Sequence, residues 1–598
     1  MKLTTYLLIG FASLATVSCD DFLDRAPLTD ITDKNFFHNA KDLETYTNGF
    51  YSLVGASYDD AGTDNVYYAG SNTTDQVMSG QISSQNIGGW SDWGTLRSIN
   101  YFLDHSKNVE GASAAEINHY TGIARYFRAQ FYMGKVQSYS DVPWYGTAMS
   151  VDDSLLYKKA DPRAVVMDSV LNDIQFAADH IKEDIGTRTR ISRWAALAYM
   201  ARICLYEGTY RKYHSELNLG NDYTRFLQKA VEACQTIMNS GKFSIYGKSG
   251  DDYAALFCSP TLNDNPEIIL QIASDKSLGI SNNTHVVLGW QWALSRNLME
   301  SYLTKEGKPF TSVKDYDKKT FNEVFVDRDP RLKATFAYPG FKENPTDKSG
   351  RLPKFTYGGY DQLKFYPLDP DLRQGWALDY TSLPVYRYAE VLLTYAEARA
   401  ELGQLTQDDL DKTINLLRDR VQMPHLNMAE ANANPDPVLV KQYPNVSGPN
   451  QGVILEIRRE RRVETACEGL RWSDIQRWCV GDLYAESPEG VYIPKLGTYD
   501  FNADGKPDIA VLASPKDTTE LYKGLTEEQK KDLSPYYLKK ADGSDDGFYL
   551  TNGTSGHVAF TSYQKVPRSF KAPQYYYRPI PAHQVELNHN LKQPFGWE

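Results

Sequence analysis

The chain has 598 residues and a formal net charge of −12 at pH 7, and 41% of its residues are hydrophobic. This composition provides enough apolar material for a large globular core, and no segment after residue 18 is apolar enough to cross a bilayer. The acidic balance argues against a nucleic-acid partner, which requires a basic surface. Aromatic residues make up 13% of the chain, enough for both a core and exposed stacking surfaces.

The N-terminal residues have the layout of an export signal. Lys2 precedes an apolar run over residues 6–15, and small residues lead from there to Cys19. This run is too short for a membrane-spanning helix. The pair Ser18-Cys19 favours lipoprotein processing, with residues 1–18 removed and Cys19 lipidated, so that acyl chains attach the protein to a membrane. An ordinary secretory signal with an incidental Cys19 is the alternative.

Residues 19–241 are predicted to be mainly helical. Apolar residues recur there at helical spacing, for example at Tyr120, Ile123, Ala124, Phe127 and Phe131. One face of that segment must therefore pack on another helix, and we expect antiparallel helix pairs.

Residues 242–385 are predicted to be rich in loops. Glycine, proline, tyrosine and aspartate replace the helical pattern, and short segments such as Glu267 to Ile272 are candidate strands. Binding surfaces usually lie on such loops, which a rigid scaffold holds in place. The helices on either side would form that scaffold.

Two stretches combine tryptophan with polar side chains, as a glycan site requires, because a sugar presents apolar C–H faces ringed by hydroxyl groups. In the first, Trp90 follows two glycines and is predicted to be exposed. In the second, Trp290 and Trp292 would share a face if the segment is extended. Burial in the core is the alternative for all three tryptophans. The candidate ligand-binding residues are Asn72, Asp75, Trp90, Trp290, Trp292 and Arg296.

Residues 386–480 return to a helical pattern. Small and aromatic residues between Tyr388 and Leu402 are typical of tetratricopeptide helices, which repeat about every 34 residues, although no tandem repeat is legible. From Ile454 to Trp478, charges at helical spacing bring opposite signs onto neighbouring turns, and Gly469 is predicted to separate two helices.

The apolar residues of the same stretch demand burial beside its charges. We therefore predict a partly buried arginine–carboxylate network, with a solvated helix face as the alternative. An active site is disfavoured, because carboxylates matched by arginines are poorly placed to titrate near neutrality. The predicted network consists of Arg461, Glu464, Glu468, Arg471, Asp474 and Arg477.

This stretch also carries a family signature. Glu460-Arg461, Glu464, Glu468-Gly469, Arg471 and Asp474 to Trp478 resemble the ER-E-EG-R-D-RW signature of the SusD/RagB family of nutrient-capturing outer-membrane lipoproteins of Bacteroidetes. Residues 19–27, 387–403 and 578–597 agree with the same family, in the family's order. The resemblance implies a mainly α-helical SusD-like domain over residues 19–598, with tetratricopeptide-like helix pairs and a loop-rich ligand-binding part with short strands.

Residues 481–598 are predicted to be irregular, and they contain one candidate metal loop. Asp500, Asn502 and Asp504 alternate ahead of a glycine, as at the start of a calcium loop, and Asp508 could add an oxygen at the ninth position. Position twelve is Val511, so the carboxylate that closes an EF-hand is missing. Calcium binding is one hypothesis for this loop, and a solvated turn rich in Asp and Asn is the other.

The resemblance implies a surface-exposed protein, lipid-anchored in the outer membrane, that captures a nutrient, most often an oligosaccharide. It would deliver this ligand to a SusC-like TonB-dependent transporter, perform no catalysis and require no cofactor. The sequence contains no HExxH or GxSxG motif. The alternatives are a glycoside hydrolase with paired carboxylates, a binding protein for another ligand such as a peptide, and a scaffold that binds only proteins.

Overall fold

The computed structural model describes residues 37–68, 73–565 and 568–597. Cys19 and Asn72 lie outside these ranges, so what the sequence predicts for them stays a prediction. The described part of the chain is mainly helical. None of its helices is long and apolar enough to cross a membrane.

The N-terminal part is built from long helices. Its helices are α1 (Ala40–Asn48), α2 (Thr73–Met78), α3 (Trp93–His105), α4 (Ala114–Tyr139), α5 (Arg163–His180), α6 (Arg193–Tyr213) and α7 (Tyr223–Asn239). Gly122, near the start of α4, faces Ala177, near the end of α5, and Gly208, near the end of α6, faces Leu227, near the start of α7. Both pairs therefore run antiparallel.

Local sequence explains where these helices begin. The hydroxyl of Ser113 accepts a hydrogen bond from the backbone N–H of Glu116, whose carboxylate accepts the N–H of Ser113, which is the capping box that starts α4. Ser192 caps α6 in the same position, through the N–H of Ala195.

The second helical part follows the loop-rich segment. It consists of α11 (Tyr388–Glu401), α12 (Gln407–Asp411), α13 (Ile414–Arg420), α14 (Met428–Ala433), α15 (Pro437–Gln442), α16 (Gln451–Glu464) and α17 (Arg471–Arg477). Gly469, with φ of +73°, lies between α16 and α17, where the sequence predicts a break. Helix α6 packs on α5, α7, α11 and α17, and this central position explains why it is buried on almost every side.

The loop-rich segment contains three short α-helices and three strands. They are α8 (Gly250–Ala255), α9 (Arg296–Ser301), α10 (Arg331–Thr335), β2 (Ile268–Ile272), β3 (Trp292–Leu294) and β4 (Leu383–Arg387). Strand β2 falls within the strand predicted from the sequence and pairs antiparallel with β4. Strand β3 pairs antiparallel with β1 (Val66–Tyr68), which comes from the N-terminal part.

The C-terminal part contains more regular structure than its sequence predicts. Its elements are α18 (Asp482–Ala485), β5 (Tyr492–Ile493), β6 (Gly497–Tyr499), β7 (Ile509–Leu512), α19 (Asp517–Tyr522), α20 (Glu527–Asp532), β8 (Ser534–Tyr537), β9 (Phe548–Leu550), β10 (Gly556–Phe560), α21 (Thr561–Lys565) and α22 (Ala582–Leu587). The strands form two three-stranded sheets, in the orders β5-β10-β9 and β6-β7-β8. All of these strands except β10 have only two to four residues, which leaves too few alternating positions to be recognised from sequence.

Two large hydrophobic cores lie on either side of α16. One is formed mainly by the long helices and includes Ile457, and the other lies under the loop-rich segment and the C-terminal sheets and includes Val463. Helix α16 contacts α11 and α14 as well as α9. It therefore joins the helical scaffold to the part of the protein that carries the loops.

Candidate functional site

Glu464, the last residue of α16, is the centre of a buried ion-pair network. Its carboxylate accepts hydrogen bonds from Arg331 at 2.9 Å, Arg387 at 2.7 Å and Arg420 at 2.5 Å. All four side chains are buried. Burial alone would raise the pKa of Glu464, but the three guanidinium groups outweigh it and hold that pKa well below its ordinary value.

The other predicted network residues lie around this centre. Asp474 pairs with Arg461 at 2.8 Å and with Arg477 at 2.9 Å, so these pairs join residues of the predicted stretch itself. Glu468 pairs with Arg387, and Arg471 pairs with Asp64, both at 2.7 Å. The remaining pairs were missed, because their second members come from distant parts of the chain: Asp64, Glu267, Arg331, Lys364, Arg387, Glu397 and Arg420.

This network binds residues at the ends of the strands β1, β2 and β4, next to the loop-rich segment. Arg387 ends β4 and also pairs with Glu267 at 2.9 Å, next to the start of β2. Asp64, just before β1, is bound by Arg471 and Arg462. Burial opposes ionisation of Asp64, but the two arginines lower its pKa to about 2. Charges on α16 and α17, and on the turn between them, therefore fix the end of β4 and the start of β1, and the loops extend from these strands.

A cleft lies between the loop that precedes β3, which carries Trp290, and the loop that precedes β4, which carries Trp376. Trp290 and Trp376 stand at its rim with 43% and 61% of their surface exposed, and their ring centroids are 4.7 Å apart with planes at 78°. The cleft has a cavity volume of about 590 Å³. Its polar lining consists of His285, Glu343, Lys354, Tyr366 and Arg373.

Backbone pairing brings the two tryptophan-bearing loops together. Asn282 and Asp379 exchange backbone hydrogen bonds of 2.9 and 3.1 Å, and the side chain of Asn283 accepts the N–H of Ala377 at 2.8 Å. The buried carboxylate of Asp379 accepts the backbone N–H of His285 at 2.6 Å and contacts the imidazole Nδ1 at 2.8 Å. The positions of both tryptophans are thus set by the fold.

Gly289 permits the turn that presents Trp290. Its φ is +74°, and an added Cβ would lie 2.9 Å from the Arg351 guanidinium and 3.1 Å from the Asp361 carboxylate. The Lys354 ammonium donates hydrogen bonds to the carbonyl oxygens of Gly289 at 2.8 Å and Trp290 at 3.2 Å. This turn is held from both sides.

Arg373 also lines the cleft and is fixed by hydrogen bonds. Its guanidinium donates to the Tyr366 hydroxyl at 2.5 Å and to the backbone oxygen of Glu343 at 2.8 Å. Burial and the neighbouring Glu343 raise the pKa of Tyr366 to about 12, so its hydroxyl keeps its proton at neutral pH. The Glu343 carboxylate itself is paired with Arg351.

Of the candidate ligand-binding residues, Trp290 lies in the cleft. Trp90 was predicted to be exposed, and this is wrong: it is 6% exposed, packs edge-on against Tyr139 at 4.9 Å and lines a separate apolar cavity of about 390 Å³. Trp292 is also 6% exposed, because it belongs to β3 whereas Trp290 precedes that strand. The two tryptophans therefore do not share an exposed face.

The polar candidates lie away from the cleft. Arg296 is buried at the start of α9, where it pairs with Glu300 at 2.6 Å. Asp75, in α2, pairs with Arg568 and accepts a hydrogen bond from Tyr484 at 3.0 Å. Sequence reasoning missed Trp376, Lys354 and Arg373. The glycine directly before Trp376 is the same local signal that singled out Trp90, and here it does mark an exposed ring.

The candidate calcium residues form a compact turn. Asp508 accepts the N–H of Phe501 at 2.9 Å, the Asn502 side-chain oxygen accepts the N–H of Asp504 at 2.9 Å, and Asp500 accepts the N–H of a glycine at 2.8 Å. Over residues 37–68, 73–565 and 568–597, no group of three or more His, Cys, Asp or Glu side chains is placed to hold a metal ion. Calcium binding stays a prediction.

The protein is thus a helical scaffold whose loops form a cleft lined by aromatic and polar side chains. A sequence model of the SusD family matches residues 266–597, which is more than half of the chain. The protein therefore belongs to the SusD family, as its signature predicts.

Known proteins resemble the chain over most of its length. SusD-like protein P2 of Formosa agariphila is 23% identical over 502 residues, which cover 78% of this chain and 89% of that protein. A solved SusD-like protein of Bacteroides fragilis matches 96% of this chain and 100% of its own, with a TM-score of 0.66 and 19% identity. A SusD-like carbohydrate binding protein of the same organism matches 93% and 100%, with a TM-score of 0.64 and 20% identity. These similarities confirm the mainly α-helical fold.

Proposed function

We propose that the protein binds an oligosaccharide in the cleft between Trp290 and Trp376. The exposed tryptophan pair carries this proposal. Two large rings in contact with water forgo the stabilisation that burial would give them, so they are better explained by a ligand than by the stability of the fold. A sugar ring can stack its C–H face on such a ring while its hydroxyl groups bond to polar side chains at the rim.

The cleft has the size and lining that this ligand requires. Its volume of about 590 Å³ lies within the usual range of small-molecule sites, about 300 to 1,000 Å³. His285, Glu343 and Arg373 supply donors and acceptors for hydroxyl groups. The structural relative described as a SusD-like carbohydrate binding protein supports the same class of ligand.

The bound oligosaccharide would then pass to a SusC-like TonB-dependent transporter in the outer membrane. Family membership supports this partner. A lipid on Cys19 would hold the protein at the cell surface, next to that transporter. The long helices would remain available to contact it while the loops carry the ligand.

Binding without cleavage is favoured by the charges at the cleft. A glycoside hydrolase needs two carboxyl groups on either side of the scissile bond, one of them with a raised pKa. Glu343 is paired with Arg351, and Asp379 is buried against His285, so neither is free to serve as acid or base. An assay for new reducing ends on a glycan panel is expected to detect no product; their release would favour the hydrolase alternative.

Calorimetric titration with a panel of oligosaccharides tests the site. Trp376→Ala and Trp290→Ala are expected to weaken binding about tenfold, equivalent to about 1.4 kcal/mol, because each removes one stacking surface. Tyr157→Ala is the matched control, since Tyr157 is 54% exposed but lines the apolar cavity instead. Circular dichroism would confirm that each variant is folded.

The outcomes separate the alternatives. Full affinity in both tryptophan variants would contradict the proposed site, and loss of affinity only in Tyr157→Ala would move it to the apolar cavity. A protein that binds no glycan or peptide but co-purifies with a barrel would be a scaffold.

A further inference from the structure

Two cations line the cleft without a carboxylate partner. Lys354 donates to two backbone carbonyl oxygens, one of them that of Trp290. Arg373 donates to the Tyr366 hydroxyl, to the backbone oxygen of Glu343 and to a side-chain amide oxygen. These acceptors are all neutral. Within the described part of the chain, no carboxylate oxygen lies within 4.0 Å of either cation.

The carboxylates around the cleft are already engaged. Glu343 and Asp361 both pair with Arg351, and Asp379 pairs with His285. Asp361 and Asp379 are buried behind the wall and do not line the cavity. A ligand in the cleft therefore meets two cations, Lys354 and Arg373, that contact no carboxylate. It meets one carboxylate, that of Glu343, which is already paired with Arg351.

Both cations line the same cleft as the two exposed tryptophans. Lys354 is hydrogen-bonded to the backbone of Trp290, and Arg373 lies three residues before Trp376. A sugar bound in this cleft would therefore share it with two positive charges. These cations are not part of a generally basic surface, because the whole chain carries a net charge of −12.

We infer that the cleft selects oligosaccharides that carry an anionic group, a carboxylate or a sulfate ester. The inference rests on the proposed function, since it concerns the same site. Hydrogen bonds between a cation and an anion are about twice as strong as neutral ones, and a guanidinium matches the planar geometry of a carboxylate. A partly enclosed wall of low dielectric strengthens this attraction. A neutral sugar gains none of it.

The test uses tetrasaccharides in matched pairs on the full-length protein. One arm compares oligogalacturonate with its carboxyl-reduced form, and the other compares a sulfated galactan with its desulfated form. At 50 mM salt, the anionic member of at least one pair is expected to bind at least tenfold more tightly, and this ratio should fall as salt is raised. The arm that shows the preference identifies the anionic group.

Variants link the preference to the two cations. Lys354→Gln and Arg373→Gln are expected to bring the ratio of the two affinities towards one, whereas Lys354→Arg, which keeps the charge, should restore it. Trp376→Ala should weaken both members of a pair and preserve their ratio. Lys523→Gln changes a surface lysine whose side chain is 66% exposed, outside the cleft, and serves as the charge control.

Each outcome is decisive for one of the two proposals. Equal affinity for the charged and neutral members, or a preference that survives both glutamine variants, would overturn the inference and leave oligosaccharide binding intact. If no member of any pair binds, the inference falls, and the titration with the oligosaccharide panel decides separately whether the proposed function stands.

Discussion

Three arginines from three different segments converge on one carboxylate, that of Glu464. Arg331 comes from α10, Arg387 from the end of β4 and Arg420 from the end of α13. Because all of them are buried, the pairs cannot exchange with water, and the loss of the Glu464 charge leaves an excess of positive charge that the remaining carboxylates, such as Glu267 and Glu468, do not balance.

We expect Glu464→Gln to lower the free energy of unfolding by about 3 to 5 kcal/mol, since it removes the one carboxylate that three buried guanidinium groups share. Urea denaturation followed by circular dichroism measures this change. Glu232→Gln is the matched control: Glu232 pairs with Lys229 on the surface, where the loss should stay under about 1 kcal/mol. A wild-type stability for Glu464→Gln would show that the network contributes little.

Helical spacing in the sequence identified the charges of this network but only some of their partners. The pairs of Asp474 with Arg461 and Arg477 are local, 13 and 3 residues apart. Arg331 and Arg387 lie 133 and 77 residues from Glu464, and no local pattern can indicate contacts at that distance.

Tryptophans show the same limit. A glycine precedes Trp90, Trp290 and Trp376 alike, yet the first is buried and the other two are exposed. The exposure of each tryptophan depends on which side chains the fold places against it, and Trp90 is covered by Tyr139 of α4. Composition and spacing can therefore nominate a stacking residue, but its exposure is a property of the tertiary structure.

The loop around Gly289 is the element on which the proposed site depends most directly. The backbone of Gly289 and Trp290 is bound by Lys354 on one side, and Arg351 and Asp361 lie against the turn on the other. Any added side chain at position 289 must displace one of these groups or the loop itself. The cleft would then lose the position of one stacking ring.

Gly289→Ala is expected to weaken oligosaccharide binding at least tenfold, because the added methyl group pushes the Trp290 turn away from Arg351 and Asp361. Titration calorimetry measures the affinity. Gly279→Ala is a close control: Gly279 also has a positive φ, of +67°, but nothing lies within 4 Å of its added Cβ.

Both alanine variants should lose about 1 to 2 kcal/mol of stability from the left-handed backbone. Only Gly289→Ala should lose affinity. Equal binding by the two variants would mean that the position of Trp290 does not matter for the ligand.

At the level of the molecule, the order of the signature stretches was enough to predict the family and the mainly helical fold. The meeting of residues 282–292 with residues 373–379 was not predictable, because the two loops are about 90 residues apart and are joined by isolated bridges such as that of Asn282 with Asp379. Loop closure over such lengths leaves no periodic trace in the sequence. The scaffold and one residue of the candidate site, Trp290, could be predicted, and the meeting of the two loops that form the cleft could not.

The predicted attachment of the protein to the outer membrane depends on acyl chains at Cys19. Cys19→Ala is expected to release the protein from the membrane fraction or to block its maturation, because each buried CH₂ of a lipid chain contributes about 0.8 kcal/mol to attachment. Fractionation should be done in cells that lack the partner transporter, so that binding to the barrel does not replace the anchor. Cys258→Ala, which changes a free cysteine of the folded body, is the control and should leave fractionation unchanged. If Cys19→Ala is processed, with residues 1–18 removed, and still stays in the membrane fraction as the wild type does, the protein is held there by contacts of its folded body and not by a lipid.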